Sequence, residues 1–483
     1  MSYTGGSSRL PQLLGAYLDA FRLKGGDSGG RLAAEQYLST STGIYHGEVI
    51  AIGFIPKIYD MTTLVELDAI ASLTYGILEK VTKRYLEDPL YRPFFCFPPA
   101  LERLICLPTG YDCLIPIMRM DLFLNEESMD FSFCEFNTDG TSAMNEDREG
   151  SAALLCSPTF QELASDLLLE PQELFDGWVD GFLSIYASSE QAVEAPCLAI
   201  VDYTASGTPH EFEEFRRRFE ARGLTCMVCD VPDLRYQDGS LMGVDVSEER
   251  ARQGMQKIDA VYRRAVTGEV LADLSFDESG MECVGVRALV RAVEEKSICM
   301  IGGFTTHVAH CKQLFAVLHL PETQAFLSAE ENAFINRHVP FTTRLDADCI
   351  SLAEIKADKD SWIIKPEDGY ASKGVHAGID FTQKEWDEVI DRCSRQPYIV
   401  QSYCPQYATP NLVANPKQGH AKELEAWNNL TGLYLYGGRF SGIFSRAGQK
   451  GIIVGFAGGI TVPNFFSAYD PAAGLALRTR PVE

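Results

Sequence analysis

The sequence of 483 residues carries 42 lysines and arginines against 67 aspartates and glutamates, a formal charge of −25. Hydrophobic residues make up 46% and charged residues 23%, which is typical of a globular protein with a large buried core. Such an acidic surface repels nucleic-acid backbones and anionic lipid, so we expect neither nucleic acid nor a membrane as a partner. Any phosphate ligand must therefore be bound by a local cluster of cations or by a metal ion.

The 14 cysteines are scattered singly, and many lie in apolar runs, where a free thiol behaves as a small hydrophobic side chain. Cys226 and Cys229 form a C-x-x-C pattern, but the surrounding run favours a strand, which directs the two side chains to opposite faces. This argues against a metal or redox site. Because the chain has neither a secretory-type start nor a stretch of 18 apolar residues, we expect it to be cytoplasmic.

In chain order, the first 90 residues are predicted to be mainly helical, since apolar residues recur three and four positions apart in LPQLLGAYLDAFRL and MTTLVELDAIASLTYGILEKVTKRYLE. Prolines then separate short apolar segments up to residue 137. Among these, PIMRMDLFL (116–124) and DFSFCEFN (130–137) are predicted to form neighbouring strands of a hairpin. Helix is predicted again from 160 to 188.

From about residue 190 the pattern is that of a parallel α/β unit. The strand PCLAIVDY, the helix HEFEEFRRRFEARG and the strand LTCMVCDV form a βαβ unit, which IDAVYRR, VGVRALVRAVEEK and SICMIGG extend to about residue 305. Helices return from 306 to 346. Several antiparallel strands are then expected among SWIIKP, VHAGI, PYIVQSYC, LTGLYLYGGRFSGIFSR and KGIIVGF, with a linker-like stretch at 409–423.

One candidate site is the loop EDGYASKG after the strand SWIIKP. Lys365 ends the strand, and Gly369 and Gly374 lie in the loop. An ammonium group there can bind a phosphate while backbone N–H groups of the loop cover other phosphate oxygens. A plain hairpin with a surface lysine gives the same pattern. Neither GxxxxGK[ST] nor GxGxxG occurs, so a P-loop or dinucleotide fingerprint is excluded.

A second candidate site lies on the predicted hairpin. Asp121 is on one strand, and Glu135 and Asn137 share a face of the next. Two carboxylates and an amide carbonyl are the hard oxygen ligands that Mg²⁺ prefers. A solvated edge hairpin would show the same residues. A carboxylate pair for glycoside hydrolysis is a further alternative, although the asparagine has no necessary role in that chemistry.

A third candidate is a purine site on the strand YIVQSYC. Gln401 interrupts its apolar run and Tyr403 follows two residues later, which can offer hydrogen bonds to a base edge. This strand comes about 35 residues after Lys365, so phosphates and base could be bound by successive strands of one subdomain.

In motif and order, the chain resembles the synthetase part of glutathionylspermidine synthase and, more broadly, the circularly permuted ATP-grasp carboxylate–amine ligases. The resemblance spans about residues 92–466. The family has an Arg-x-Asp strand followed by Glu-(aromatic)-Asn-x-Asp, a phosphate-binding lysine at a helix start, a Lys-Pro before a glycine loop, a Gln-x-aromatic hinge and a late Gly-x-x-x-Arg. These motifs match Arg119 and Asp121, Glu135 to Asp139, Lys312, Lys365-Pro366, Gln401 and Tyr403, and Gly442 to Arg446.

The resemblance implies a mixed α/β (α+β), circularly permuted ATP-grasp fold, because the metal-binding strands precede the lysine strand. It also implies ATP and Mg²⁺ as cofactors, with Asp121, Glu135 and Asn137 on the metal. The expected units are a helical N-terminal region (1–90), the first part of the catalytic unit (91–189), a pre-ATP-grasp α/β domain (190–305), an ATP-binding subdomain (306–410) and returning C-terminal strands (411–483).

In the implied reaction a carboxylate takes the γ-phosphoryl group of ATP, and an amine attacks the acyl phosphate. Arg119 and Arg446 would be catalytic, and the nucleotide would be bound by Lys312, Lys365, Gly369, Gly374, Gln401 and Tyr403. The partners would be a small-molecule carboxylate and amine. A nucleotide-binding module without catalysis, or a hydrolase using Asp121 and Glu135 directly, remains an alternative.

The chain departs from the family in its substrate segments. The family's Asn-x-Asp-Thr-Pro-Thr is here Asn137-Thr-Asp-Gly-Thr-Ser142, which makes Asp139, Thr141 and Ser142 the substrate-contact candidates. No amidase domain fits in this length, and Glu269 is only a weak match to a polyamine-binding acid. Whether glutathione and spermidine are the substrates therefore stays open, and a peptide or a glutathione-like acid remains a candidate for the carboxylate. No role is assigned to His307, His310, His420 or Lys373.

Overall fold

The computed structural model describes residues 9–278, 284–346, 350–367, 369, 372–417, 423–454, 458–467, 469–470 and 475–476. Over these ranges the protein is a mixed α/β fold, as predicted. A large, mainly antiparallel sheet, a smaller antiparallel sheet and a parallel sheet with helices are its principal parts.

The N-terminal region contains the two predicted helices and, in addition, strands that the helical prediction missed. Its elements are α1 (Leu10–Leu23), α2 (Ser28–Leu38), β1 (Ile44–Tyr45), β2 (Glu48–Val49), β3 (Ile52–Gly53), β4 (Lys57–Asp60) and α3 (Met61–Glu87). Asp60 caps the N-terminus of the long helix α3, because its carboxylate accepts a hydrogen bond from the Thr63 N–H at 2.8 Å.

Helix α3 packs on the large hydrophobic core. By length and composition it could cross a membrane, a test that the core helices of soluble proteins also pass. Its Leu67, Ile70 and Leu78 are at most 1% exposed and belong to the same core as strand residues Met120 and Leu433. The burial of one face of the helix therefore accounts for its apolar composition.

The next segment forms the predicted hairpin and a group of helices. Its elements are α4 (Pro99–Ile105), β5 (Ile117–Leu124), β6 (Phe131–Asn137), α5 (Met144–Leu155), α6 (Pro158–Leu167), β7 (Leu169–Pro171) and α7 (Phe175–Ala187). Strands β5 and β6 pair antiparallel as expected, with an irregularity between Asp121 and Leu122.

Residues 197–301 contain the predicted parallel sheet, in the strand order β14-β13-β8-β9. Its flanking elements include a small antiparallel sheet that the sequence did not indicate. The elements are β8 (Cys197–Asp202), α8 (Pro209–Ala221), β9 (Thr225–Asp230), β10 (Arg235–Gln237), β11 (Ser240–Gly243), α9 (Glu248–Ala251), β12 (Gln256–Ile258), β13 (Ala260–Arg263), α10 (Thr267–Glu278), α11 (Val284–Glu294) and β14 (Cys299–Ile301).

The two cysteines of the C-x-x-C pattern lie on β9 and enter different hydrophobic cores. Cys226 packs with Phe215 and Cys229 with Leu241. The two thiols therefore lie on opposite sides of the sheet, as predicted for residues three apart on a strand.

The following segment forms the smaller antiparallel sheet, in the strand order β15-β18-β16-β17. Its elements are α12 (His307–His310), α13 (Leu314–Leu318), α14 (Pro321–Gln324), α15 (Ala329–His338), β15 (Thr342–Arg344), α16 (Leu352–Ala357), β16 (Trp362–Pro366), β17 (His376–Ala377), α17 (Gln383–Cys393) and β18 (Tyr398–Ser402). Trp386 of α17 is fully buried against this sheet and donates its indole N–H to the Ile355 carbonyl at 3.1 Å.

The C-terminal segment completes the large sheet, whose path is β20-β3-β23-β22-β21-β5-β6, with β19 also paired to β21. Its elements are β19 (Ala408–Asn411), β20 (Val413–Ala414), β21 (Glu425–Tyr436), β22 (Arg439–Gly448), β23 (Ile460–Val462), β24 (Asn464–Ser467), β25 (Tyr469–Asp470) and β26 (Leu475–Ala476).

Several of the segments predicted as antiparallel strands are strands, but the linker prediction was wrong. The linker-like stretch 409–423 begins with the end of β19 and with β20, while residues 418–422 lie outside the described part. The described residues of KGIIVGF, 450–454, form no strand.

Candidate active site

A cleft with a volume of about 180 Å³ is lined by the large sheet, the smaller antiparallel sheet and the edge of the parallel sheet. It brings together most of the predicted site residues. Those that line it are Arg119, Asp121, Glu135, Asn137, Asp139, Thr141, Ser142, Lys365, Gln401, Tyr403 and Arg446. Lys312, Gly369 and Gly374 are not among its lining residues, although the Lys312 ammonium donates to the Gly369 carbonyl at 2.7 Å.

The hairpin β5–β6 places the three candidate metal ligands side by side. Asp121 is opposite Glu135, and Asn137 is opposite Arg119 in the strand register. The Asn137 amide donates to Asp121 Oδ2 at 3.1 Å. Glu135 makes no hydrogen bond or ion pair with any residue in the described ranges.

The surrounding charges act differently on the two carboxylates. Burial raises the pKa of Asp121, although Arg119 opposes this effect. Burial also opposes ionisation of Glu135, but the ammonium groups of Lys312 and Lys365 outweigh it and lower the pKa of this carboxyl. Glu135 is therefore a charged carboxylate that lines the cleft and has no hydrogen-bond or ion-pair partner among the described residues.

This set of donor atoms fits Mg²⁺ better than it fits a metal ion whose ligands all come from protein side chains. Within the described ranges, no group of three or more His, Cys, Asp or Glu side chains is arranged to hold a metal ion. The cleft instead offers two carboxylates and an amide, all hard oxygen donors, one of them unpartnered. Mg²⁺ commonly uses one or two carboxylates together with substrate phosphates.

The two candidate catalytic arginines have different environments. Arg119 is 4% exposed and binds Asp121 through Nε (2.7 Å) and Nη2 (3.0 Å), while Nη1 donates to the Ser142 carbonyl at 2.7 Å. Arg446, on β22, packs over the Phe444 ring at 4.9 Å, and its guanidinium has no hydrogen bond or ion pair among the described residues. Arg119 thus positions Asp121, whereas Arg446 is available to a ligand.

The smaller sheet contributes the other wall of the cleft. Lys365 is 5% exposed, and its ammonium donates to the Cys134 carbonyl at 3.1 Å. Cys134 lies on the hairpin β5–β6, which carries the candidate metal ligands and is called the metal hairpin below. The Gln401 amide donates to Thr342 Oγ1 at 2.8 Å, and the Tyr403 hydroxyl donates to Gln406 Oε1 at 2.9 Å. Apolar lining is supplied by Ile363, Val375, Leu430 and Ile453.

The predicted substrate residues lie in the loop after β6, which an ion pair and hydrogen bonds hold in place. The Asp139 carboxylate binds Arg263 at 2.5 Å and accepts the Thr267 N–H at 2.7 Å, and Arg263 lowers its pKa although burial opposes this. Thr141 donates to the Asn137 carbonyl at 2.8 Å. Of the three side chains, Asp139 and Thr141 are therefore already bound by the protein. The loop binds Arg119 through the Ser142 backbone carbonyl.

Helix α5, which follows this loop, is held by the α/β unit. One oxygen of Glu211 accepts hydrogen bonds from the N–H groups of Ala143, Met144 and Asn145 at 3.1, 2.8 and 3.2 Å. Its other oxygen accepts from Arg264 at 2.7 Å. A carboxylate at this helix N-terminus is electrostatically favourable and joins the parallel sheet to the metal hairpin.

Several cleft residues were missed by sequence reasoning. Asp202 ends the central strand β8, where ligands of parallel sheets usually bind, so its position could have indicated it. Glu269, the weak match to a polyamine-binding acid, also lines the cleft. Tyr45 and His46 come from the N-terminal hairpin β1–β2, which the sequence IYHGEV could have suggested as a two-residue Xaa-Gly turn.

The structure describes two of the three histidines to which the sequence assigned no role. His310 lines the cleft, while His307 is 1% exposed with Nδ1 3.6 Å from Asp139. His420 lies outside the described residues, as do Asp368, Tyr370 and Ala371 of the loop EDGYASKG.

Comparisons with known proteins agree with this architecture. Residues 191–424 match the family model described as circularly permuted ATP-grasp type 2. The matched range includes Lys312, Lys365 and Gln401 but neither the metal hairpin nor Arg446. A comparison with curated proteins finds no match.

Two similar solved structures are both synthetase-like proteins. A glutathione synthetase-like effector from Globodera pallida in its apo form is 10% identical, with 91% of this chain and 96% of that chain covered and a TM-score of 0.52. A putative gamma-glutamylcysteine synthetase from Methylobacillus flagellatus is 12% identical, with coverages of 80% and 87% and a TM-score of 0.37. At such identities, only the first likeness bears on the fold. Together with the family-model match over residues 191–424, it shows that this chain has a circularly permuted ATP-grasp fold.

Proposed function

We propose that this protein is an ATP-dependent ligase that joins a small carboxylic acid to an amine through an acyl phosphate. One observation carries this proposal. The cleft combines buried Lys365 from the smaller sheet with Asp121, Glu135 and Arg446 from the large sheet, and Arg446 has no ion pair within the described part of the chain. A nucleotide-binding module without catalysis has no need for a carboxylate and a guanidinium in one cleft that no described residue pairs with.

The residues of the smaller sheet would bind the nucleotide. The base would lie against Ile363 and Val375 near Gln401 and Tyr403, and the phosphates would extend towards Lys365. Lys312, fixed by the Gly369 carbonyl, would add a second positive charge. Asp121, Glu135 and Asn137 would hold Mg²⁺, which supplies charge neutralisation for the transferred phosphoryl group.

In the reaction, a carboxylate oxygen of the acid attacks the γ-phosphorus of ATP, and ADP leaves. The amine nitrogen then attacks the acyl carbon, loses a proton, and inorganic phosphate leaves. Arg446 can donate to the acyl oxygen while negative charge develops on it, and Arg119 keeps Asp121 in place. Such catalysis depends mainly on positioning and electrostatic stabilisation.

The decisive experiment measures ADP release from Mg²⁺·ATP in mixtures of carboxylic acids and amines, followed by trapping with hydroxylamine. A ligase should release ADP only with an acid present and yield that acid's hydroxamate. Nucleotide binding without acid-dependent ADP release would identify a binding module instead. Hydrolysis of a substrate without ATP would favour the carboxylate-pair hydrolase.

A further inference from the structure

A short hairpin of the N-terminal region reaches the proposed active site. Strands β1 and β2 pair Ile44 with Val49 and Tyr45 with Glu48. The two turn residues, His46 and Gly47, have φ angles of 49° and 79°, as in the tight turns that match the twist of a hairpin. Tyr45 and His46 line the cleft together with Arg446 and Ser142.

The base of this hairpin is fixed to helix α5. The Thr42 hydroxyl donates to Glu149 at 2.9 Å, and the Asn145 amide donates to the Thr42 carbonyl at 2.7 Å. The Ile50 N–H closes the hairpin on the Gly43 carbonyl at 2.9 Å. Because α5 starts directly after the Ser142 loop, the same helix positions both the hairpin and that loop.

The Tyr45 hydroxyl lies close enough to Arg446 for a direct electrostatic effect. Burial raises the pKa of Tyr45, and the guanidinium of Arg446 is the largest influence that lowers it. Neither the hydroxyl nor the guanidinium has a hydrogen-bond partner within the ranges that the structure describes. Two donors from separate elements therefore line the same cleft, and neither is hydrogen-bonded to another described residue.

We propose that Tyr45 contacts the acid substrate, and that its hydroxyl donates to the carboxylate bound by Arg446. The inference rests on the proposed function. A carboxylate is the ligand that satisfies both donors at once, and Arg446 also acts electrostatically on Asp121 in the metal hairpin. The Tyr45 ring packs against His46 with their centroids 4.3 Å apart, so the hairpin also forms a wall beside the acyl group.

The test compares Tyr45→Phe, which removes only the hydroxyl, with the matched control Tyr236→Phe. Tyr236 also donates its hydroxyl to a carboxylate, that of Glu295 at 2.6 Å, but lies outside the cleft. With the acid identified by hydroxylamine trapping, Tyr45→Phe should raise the KM for the acid about 10-fold, the effect of one hydrogen bond to a charged group. The KM for ATP should stay within about twofold, and the control should change neither constant.

An equal rise in both constants, or no rise in the KM for the acid, overturns the inference. A second measurement distinguishes failure of this inference from failure of the proposed function. Calorimetric titration of glutathione, γ-glutamylcysteine, glutamate and succinate into the wild-type protein with Mg²⁺ and a non-hydrolysable ATP analogue measures acid binding without turnover. Binding that Tyr45→Phe weakens supports the inference even if no ligation occurs. Failure of the wild-type protein to bind any of these acids overturns it.

Discussion

Glu135 is the carboxylate of the cleft that no described residue binds. The other two candidate metal ligands, Asp121 and Asn137, are positioned by the strand register, by their own hydrogen bond and by Arg119. The low pKa of Glu135 requires the two lysines that would also bind phosphate. Glu135 and the two lysines thus stabilise one another's charged forms without a ligand.

Glu135→Gln should abolish acid-dependent ADP release while the protein remains folded. The substitution keeps the shape of the side chain but removes the charge that a divalent cation requires. The measurement is the Mg²⁺ dependence of ADP release, with unfolding followed by circular dichroism. Glu127→Gln is a suitable control, because Glu127 is exposed in the turn of the same hairpin and binds Tyr407 instead. Wild-type activity in Glu135→Gln would contradict the metal assignment.

Asp139 illustrates the difference between a cleft residue and a structural ion pair. Its carboxylate and the guanidinium of Arg263 are each only 1% exposed. Asp139→Asn should therefore lower the free energy of unfolding by about 3–5 kcal/mol, because it leaves a buried arginine without its counter-charge.

Chemical denaturation measures this effect, and Asp130→Asn is the control. The Asp130–Arg337 pair is 56% and 66% exposed, so its loss should cost less than about 1 kcal/mol. Equal destabilisation by the two substitutions would argue against a structural role for Asp139.

At the scale of elements, strand β21 packs closely against the metal hairpin. Gly432 is opposite Asp121, and a Cβ atom there would lie 2.7 Å from Arg119 Cδ and 2.8 Å from Asp121 Oδ1. Both neighbours are buried and bonded to each other, so neither can move without disturbing the candidate metal site.

Gly432→Ala should consequently lower ADP release and protein stability together. Gly76→Ala in helix α3 is the contrasting variant, since no atom lies within 4 Å of the added methyl group. In a helix interior that change should stabilise the protein by about 0.5–1 kcal/mol. Thermal unfolding and the rate of ADP release measure both effects. Unchanged activity in Gly432→Ala would show that the sheet relaxes without displacing the ion pair.

The elements differ in how well the sequence predicted them. The hairpin β5–β6 was predictable, because polar residues on one face alternate with buried Phe131 and Phe133 and fix the register. The strands β1 to β4 were missed because each is two to four residues long and has no alternation to detect. Lys365 and Gln401 could be proposed from motifs, whereas the proximity of Tyr45 to Arg446 depends on long-range packing that local patterns do not encode.

For the whole molecule, acidic composition and burial together predict the pH dependence of stability. Burial is the main cause that raises the pKa of Glu146, Asp147 and Asp202 to about 7 in each case. In the unfolded chain such groups lose their protons near pH 4. Between pH 4 and 7 the folded state therefore holds more protons than the unfolded state, and stability falls as the pH rises.

The free energy of unfolding should thus be higher at pH 5 than at pH 8. Each pKa unit corresponds to about 1.4 kcal/mol. Asp147→Asn should flatten this slope, while the exposed Asp166→Asn should not. Below pH 4 the trend should reverse, because Asp139, whose pKa Arg263 lowers in the folded state, takes up a proton first in the unfolded chain. Denaturation at a series of pH values measures the profile, and a stability that rises from pH 5 to 8 would contradict it.

The two ends of the described chain share the same sheets. Strand β24 runs parallel to β4, with Phe465 beside Ile58, and β23 pairs with β3. During synthesis on the ribosome, the N-terminal strands must wait for partners that are made hundreds of residues later. Arg446 likewise emerges long after the hairpin that carries Tyr45. A nascent or C-terminally truncated chain therefore lacks a complete cleft, so acid-dependent use of ATP should begin only after the C-terminal strands have been made.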